Sequence, residues 1–91
     1  MTIIINTCYG GFSLPEDFCK TYNMRRYEDI ERTDGRLVNY VRERDGVVKC
    51  NCAELRLVEL PDNMTDYEIT EYDGYEGVIC VVNGKLVHLY D

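Results

Sequence analysis

The stretch that decides the fold is TIIINT, Thr2 to Thr7, close to the start of the 91-residue chain. Three consecutive isoleucines between threonines are typical of a β-strand, because β-branched side chains favour extended backbone. A strand with one solvent-exposed face alternates apolar and polar residues, and this stretch does not alternate. The stretch therefore predicts a first strand that is buried on both faces.

The next segment, CYGGFS, is a glycine-bearing loop that leads into a helix predicted over Leu14 to Tyr22. Ser13 and Glu16 have the spacing of a capping box, in which each side chain satisfies a free backbone N–H at the helix start. Asn23 is suited to end this helix in a left-handed conformation. The pattern thus predicts a strand, a tight loop and a helix in direct succession.

The middle of the chain predicts a second helix. Arg25 to Glu31 alternates weakly and fits either a short edge strand or a loop. Thr33 or Asp34 can cap a helix that runs to about Arg44 and ends through Gly46. Its core-facing residues are Leu37, Val38 and Val41.

The last part predicts strands and a hairpin. Leu55 to Leu60 and Tyr67 to Tyr72 fit two strands, and VICVVNGKLVHLY, Val78 to Tyr90, fits two more around Asn83-Gly84. Asn-Gly is the preferred sequence of a type I′ turn, which fixes the pairing of the flanking residues. The predicted pairs are Val82 with Lys85, Val81 with Leu86, Cys80 with Val87, and Ile79 with His88.

These elements predict a single α+β domain over residues 1–91. Two helices pack on one face of a mixed, mostly antiparallel sheet, in the order β-α-β-α-β-β-β-β. Both faces of the hairpin are apolar, and the helices cover only one of them. A bare apolar face is commonly buried by a second copy of the chain, which predicts a homo-oligomer. The predicted interface is Ile79, Val81, Leu86, His88 and Tyr90.

Charge and composition exclude several classes of function. The net charge is −7, which disfavours nucleic acid as a partner because such binding depends on Lys and Arg. No apolar run is long enough for a membrane span, and no signal-peptide pattern follows Met1, so we expect a cytoplasmic protein without a membrane partner. Residues 20–49 carry eight basic and six acidic side chains, whereas residues 50–91 carry two basic and nine acidic ones. The C-terminal half therefore predicts an acidic surface.

Five cysteines without an export signal predict free thiols. Cys50 and Cys52 have the only metal-like spacing, and the second pair that zinc sites use is missing, so we expect no metal. Cys8 precedes a helix start, where thiols become more acidic, but the only histidine, His88, lies far along the chain. The sequence therefore predicts no catalytic residues and no cofactor; a cysteine-dependent enzyme is the distant alternative.

The glycine-bearing loop has two interpretations. A loop that feeds a helix N-terminus can bind a small anionic ligand through free backbone N–H groups, helped by nearby arginines. The same glycines can also simply form a sharp turn, and the lysine and spacing of a P-loop are absent. On the first interpretation the ligand-binding residues are Cys8, Tyr9, Gly10, Gly11, Phe12, Ser13, Arg25 and Arg26.

Three stretches resemble a pattern of small uncharacterised proteins of bacteriophages and prophage regions. They are INTCYGGFSL at 5–14, IERTDGRLV at 30–38, and CAELRLVELPDNMTDYEITEYDGYE at 52–76. The resemblance implies a phage-type accessory protein that acts by binding. One hypothesis is an anti-defence sponge that sequesters a small nucleotide-like signal. The other is an inhibitor that blocks a host protein through its acidic C-terminal half, which is rich in tyrosine (Tyr67, Tyr72, Tyr75 and Tyr90).

Overall fold

The computed structural model describes residues 1–90 and has an α+β fold, as predicted. In chain order the elements are β1 (Thr2–Asn6), α1 (Glu16–Tyr22), α2 (Gly35–Arg42), β2 (Val47–Cys50), β3 (Ala53–Glu59), β4 (Met64–Tyr72), β5 (Tyr75–Val82) and β6 (Lys85–Tyr90). The two helices are therefore consecutive, and five strands follow them.

The strands form two sheets, so the prediction of one mixed sheet is wrong. The first sheet has the order β1-β3-β2 and the second has the order β4-β5-β6, with antiparallel pairing throughout. Residues 25–31 form no strand, and β2 at Val47–Cys50 was missed because it directly follows the turn that ends α2. Pro61 interrupts the chain after β3, and the strands that follow build a separate sheet.

β1 lies in the middle of the molecule, and the prediction that both its faces are buried is confirmed. Ile3, Ile4 and Ile5 are each fully buried. Ile4 packs in a cluster with both helices and β3, made of Leu14, Phe18, Leu37, Val38, Val41, Ala53 and Leu55. Ile3 and Ile5 pack on the other side, in a cluster that includes Val58, Leu60 and Val78, with Met64, Tyr67, Ile69, Leu89 and Tyr90 around it. The fold thus has three layers, which are the helices, the first sheet and the second sheet.

The predicted helix caps are partly confirmed. Asn23 adopts the left-handed conformation, and Asp34 caps α2 by accepting a hydrogen bond from the Arg36 N–H at 2.9 Å. The capping box is wrong, because α1 begins at Glu16 and Ser13 is buried in the preceding segment. Proline at the N-cap position, Pro15, leaves α1 without a side-chain cap.

The C-terminal hairpin forms with the predicted turn and pairing. Asn83 and Gly84 both have positive φ angles, as a type I′ turn requires, and all four predicted pairs are present. A register shift next to Val78 then places Tyr90 opposite Val78, on the inner face. The prediction that helices cover the hairpin is wrong, because the first sheet covers its inner face.

Truncation of a buried side chain of β1 tests the three-layer packing. Ile4→Ala should lower the free energy of unfolding by about 2–5 kcal/mol, because it removes buried atoms and leaves a cavity. Leu86→Ala is the control, since Leu86 is 67% exposed and its truncation should change stability by less than about 0.5 kcal/mol. Urea denaturation at low micromolar protein measures both. Equal, small effects would show that β1 is not the centre of the core.

Candidate functional site

The glycine-bearing loop lies on the turn between β4 and β5. The Gly10 N–H donates a hydrogen bond to the Asp73 carbonyl at 3.1 Å. A Cβ atom added to Gly74 would lie 2.8 Å from the Gly10 nitrogen and closer still to the Gly11 nitrogen. The two backbones therefore approach within a distance that only glycine permits. This contact explains the glycine at position 74, and the positive φ angles of Gly10 and Gly11 explain the glycines of the loop without a ligand.

The aromatic side chains of the loop contact residues from other segments of the chain. Tyr9 is 62% exposed and its ring lies 5.3 Å from the Tyr75 ring. The Arg32 guanidinium lies 3.9 Å from the centre of the Phe12 ring, a cation–π geometry. Ser13 is buried, and Cys8 is half-buried.

The two predicted arginines lie beside the C-terminal end of this loop. The Leu14 N–H donates to the Arg26 carbonyl at 2.8 Å, which brings the backbone of the arginine pair next to the loop. The Arg25 side chain is 90% exposed and lies 3.8 Å from the Glu28 carboxylate. Both arginines are exposed. The small-anion site at the loop stays a prediction.

A buried hydrogen-bond network that the sequence analysis missed holds this region together. Glu76 is 6% exposed and forms a two-pronged ion pair with Arg32, with oxygen–nitrogen distances of 2.5 and 2.8 Å. The same carboxylate accepts a hydrogen bond from the Asn6 N–H at 2.8 Å. A buried carboxylate is tolerated when it is paired and hydrogen-bonded in this way. The network therefore links β5 of the second sheet to β1 of the first.

The Asn6 side chain extends the network to the loop. It is fully buried, and its amide nitrogen donates to the carbonyls of Cys8 at 3.0 Å and Gly74 at 2.8 Å. Its amide oxygen accepts from the Glu54 N–H at 2.9 Å. One side chain thus fixes the start of the loop, the β4–β5 turn and β3.

Two sequence signals point to this network. Asp73-Gly74 is an Asp-Gly pair between two strand-like runs, which predicts a second type I′ hairpin as strongly as Asn83-Gly84 does. Both of these residues have positive φ angles in the structure. Glu76 stands next to the buried run of β5, and a carboxylate in such a place requires a partner. The identity of that partner, Arg32, has no local signal.

The outer face of the second sheet carries an apolar strip beside two carboxylates. Each of two cross-strand rows contains one residue from each strand: Asp66, Val81 and Leu86 in the first, and Glu68, Ile79 and His88 in the second. Ile79 and Val81 are half-buried, whereas Leu86 and His88 are exposed. The structure therefore brings together four of the five predicted interface residues, and Tyr90 lies on the opposite face.

This outer face is shallow and acidic. A depression of about 200 Å³ lies over the centre of the two rows. Among residues 1–90, neither Asp66 nor Glu68 forms an ion pair, and the basic side chains of the second sheet are Lys85 and His88. The surface thus offers apolar area with uncompensated negative charge at its β4 edge.

The polar side chains that line a groove between the helices pair with one another. The Tyr40 hydroxyl donates a hydrogen bond to the Asp17 carboxylate, and the Arg44 guanidinium lies 3.5 Å from the centre of the Tyr40 ring. Burial, and then the bond to Asp17, raise the pKa of Tyr40 to about 12, while the bond to Tyr40 lowers the pKa of Asp17. These groups are paired with one another, and their contacts connect α1 to α2.

The cysteines are free thiols, as predicted. Burial raises the pKa of the Cys19 and Cys50 thiols, which favours their protonated form. Within residues 1–90, no three His, Cys, Asp or Glu side chains cluster closely enough to hold a metal ion. The described helices are all too short and too polar to cross a membrane.

Comparison with known proteins finds no matching family model, no matching curated protein and no matching solved structure. Function is therefore inferred from the geometry of this chain. The resemblance to phage proteins stays a prediction.

Two glycine substitutions test whether the loop is held by close packing. Gly74→Ala and Gly84→Ala both place a side chain at a positive φ angle, which costs about 1–2 kcal/mol. Only Gly74→Ala also drives a Cβ into the backbone of Gly10 and Gly11, whereas Gly84 has open space. Gly74→Ala should therefore lower the free energy of unfolding by about 1–3 kcal/mol more than Gly84→Ala in urea denaturation.

Equal losses in the two variants would contradict the close packing. The loop would then be free to rearrange, and the ligand interpretation of its glycines would regain its support.

Proposed function

We propose that this protein is a non-catalytic binding module that contacts a protein partner through the outer face of its second sheet. The observation that carries the proposal is the apolar strip of half-buried Ile79 and Val81 and exposed Leu86, which lies beside the carboxylates of Asp66 and Glu68. Exposed apolar surface with a polar margin is typical of interaction sites.

The shape of the face favours a protein over a small molecule. Small-molecule pockets usually enclose about 300–1,000 Å³ and bury most of the ligand. The depression on the outer face has about 200 Å³ and lies on an open sheet. A partner side chain that enters this depression, with flat contact around it, fits the surface better than an enclosed ligand does.

The charge of the face favours a basic partner. The carboxylates of Asp66 and Glu68 lie at one margin of the apolar strip, and the chain as a whole carries a charge of −7. Complementary charge speeds association and excludes partners of the wrong sign. We therefore expect the partner to present apolar residues next to Lys or Arg.

The absence of catalysis remains part of the proposal and is supported by the chemistry of the thiols. The raised pKa values of Cys19 and Cys50 make these groups poor nucleophiles. His88 lies in the outer-face row of Ile79 and Glu68, while Cys8 lies in the loop that is anchored to the β4–β5 turn. This placement gives Cys8 no histidine partner of the kind that nucleophilic catalysis uses.

The setting that we propose is the cytoplasm of a phage-infected host, following the resemblance of three sequence stretches. There, a small acidic module would act by covering a basic surface on a host protein. A sponge for a nucleotide-like signal is less well supported, because the Gly10 N–H is already bonded to the Asp73 carbonyl and the backbone of Gly10 and Gly11 packs against Gly74.

Selection from a displayed library of random peptides tests the proposed face. The immobilised protein should select peptides that combine apolar residues with Lys or Arg. The variant Asp66→Lys/Glu68→Lys should bind these peptides at least about tenfold more weakly, because the complementary charge is reversed. Val81→Asp should also weaken binding, because it places a charge in the apolar strip.

A matched variant controls for net charge. Asp29→Lys/Glu31→Lys changes two exposed carboxylates at the same spacing on another surface, and it should keep wild-type binding within about twofold. Selected peptides without basic residues, equal binding to both charge-reversed variants, or an empty selection would each contradict the proposed face.

A further inference from the structure

The two sheets have four edges, and the first sheet closes its β1 edge with groups from other segments. The Ile4 N–H donates to the Arg32 carbonyl at 2.9 Å, and the Asn6 N–H donates to the Glu76 carboxylate at 2.8 Å. These are two of the three N–H groups of β1 that point away from β3, since N–H groups alternate in direction along an edge strand. The β1 edge therefore has few free groups to offer another strand.

Two further edges carry features that oppose strand addition. β2 has only four residues, and one of them is Lys49. β4 carries three carboxylates, from Asp66, Glu68 and Glu71, and a bulge between Met64 and Asp66. Short length, charge and bulges are the usual means by which proteins protect sheet edges from pairing with other chains.

The fourth edge, β6, is open. It has six residues, no carboxylate and no proline, and within residues 1–90 its backbone pairs only with β5. In a hairpin with a two-residue turn, the residues that flank the turn exchange both backbone bonds, and the pairs alternate from there. Lys85 and Val87 thus bond to β5, while the N–H and C=O groups of Leu86 and His88 point to the open edge.

We propose that β6 pairs with β6 of a second copy of this chain, antiparallel about a two-fold axis. The outward-pointing residues must meet one another, so Leu86 pairs with His88 of the second copy and Val87 lies opposite Val87 on the axis. The two second sheets then join into one sheet of six strands. Closed two-fold pairing is the commonest form of self-association.

The side chains agree with this register. Leu86 and Val87 are 67% and 38% exposed, which makes them the most exposed apolar residues of β5 and β6, and pairing covers both. Lys85 falls opposite Leu89 of the second copy, so no like charges face each other. In the same register the row that ends at Leu86 would continue into the second copy's row that ends at His88.

The charge distribution is also compatible with the pairing of two β6 strands. Each copy has a net charge of −7, and the carboxylates of the second sheet lie on β4 and at the start of β5, not on β6. In the joined sheet the two β4 strands are separated by five strand spacings, about 24 Å. This separation is about three Debye lengths at physiological salt, so repulsion between the two acidic margins is largely screened.

This pairing does not depend on the partner proposed above, and it changes how that partner would be bound. The two outer faces would lie side by side in one sheet, with Asp66 and Glu68 at both outer margins. A dimer of this form would bind two partner molecules, or one partner with two such surfaces, with higher avidity. The peptide selection described above and the measurements described next can fail independently.

Amide hydrogen exchange by NMR tests the pairing without any substitution. At low micromolar concentration the amides of Leu86 and His88 should exchange rapidly, because they point to solvent. At high micromolar concentration they should become protected, while the amide of Val87 stays protected at both concentrations. Light scattering should show the mass rise from 10.6 kDa towards twice that value over the same range.

Two variants separate this dimer from one formed face to face. Leu86→Pro removes an outward-pointing N–H and should give a folded monomer, because no bond to β5 is lost. Ile79→Lys alters the outer face and should leave the dimer intact. If Leu86→Pro unfolds, the exchange pattern of the wild-type protein decides between the two forms of dimer. A wild-type monomer at high concentration, or a dimer that Ile79→Lys breaks while Leu86 and His88 exchange freely, would overturn the proposal.

Discussion

The structure depends on the burial of β1 on both of its faces. Ile3, Ile4 and Ile5 point alternately to two sides, and all three are fully buried, so each side needs its own layer. The helices form the layer over Ile4, and the second sheet forms the layer over Ile3 and Ile5. The inner face of the second sheet is used in this packing. Its outer face and its β6 edge are then the surfaces left for other molecules.

The polar network at the end of β1 fixes how the two sheets meet. Glu76 and Asn6 are nearly or fully buried, and they make hydrogen bonds to β1, β3, the loop and the β4–β5 turn. Loss of one member of such a network leaves the other buried polar groups without hydrogen-bond partners. The network therefore favours one relative position of the two sheets. The glycine-bearing loop is part of this junction. Its tight geometry is therefore explained by the joining of two sheets.

The sequence predicted those features that depend on neighbouring residues. The isoleucine triplet indicated a strand buried on both faces, and Asn83-Gly84 indicated the hairpin and its register. The division into two sheets was not predictable in this way, because it depends on which strand takes each free edge. The pair of Arg32 and Glu76 lies 44 residues apart in the chain, and no local pattern joins them. Of the candidate site, the apolar residues of the outer face were predicted, while the flanking carboxylates of β4 were recognised only as part of an acidic half.

The most direct test of this account is pulsed thiol labelling of Cys80 in urea, read by mass spectrometry and compared with helix content from circular dichroism. Cys80 lies on the inner face of the second sheet and is 1% exposed, so it reacts only when that sheet opens. The account predicts that Cys80 becomes reactive with the same midpoint and free energy as the loss of helix, because β1 ties the layers together. Labelling of Cys80 at much lower urea, with the helices intact, would contradict it.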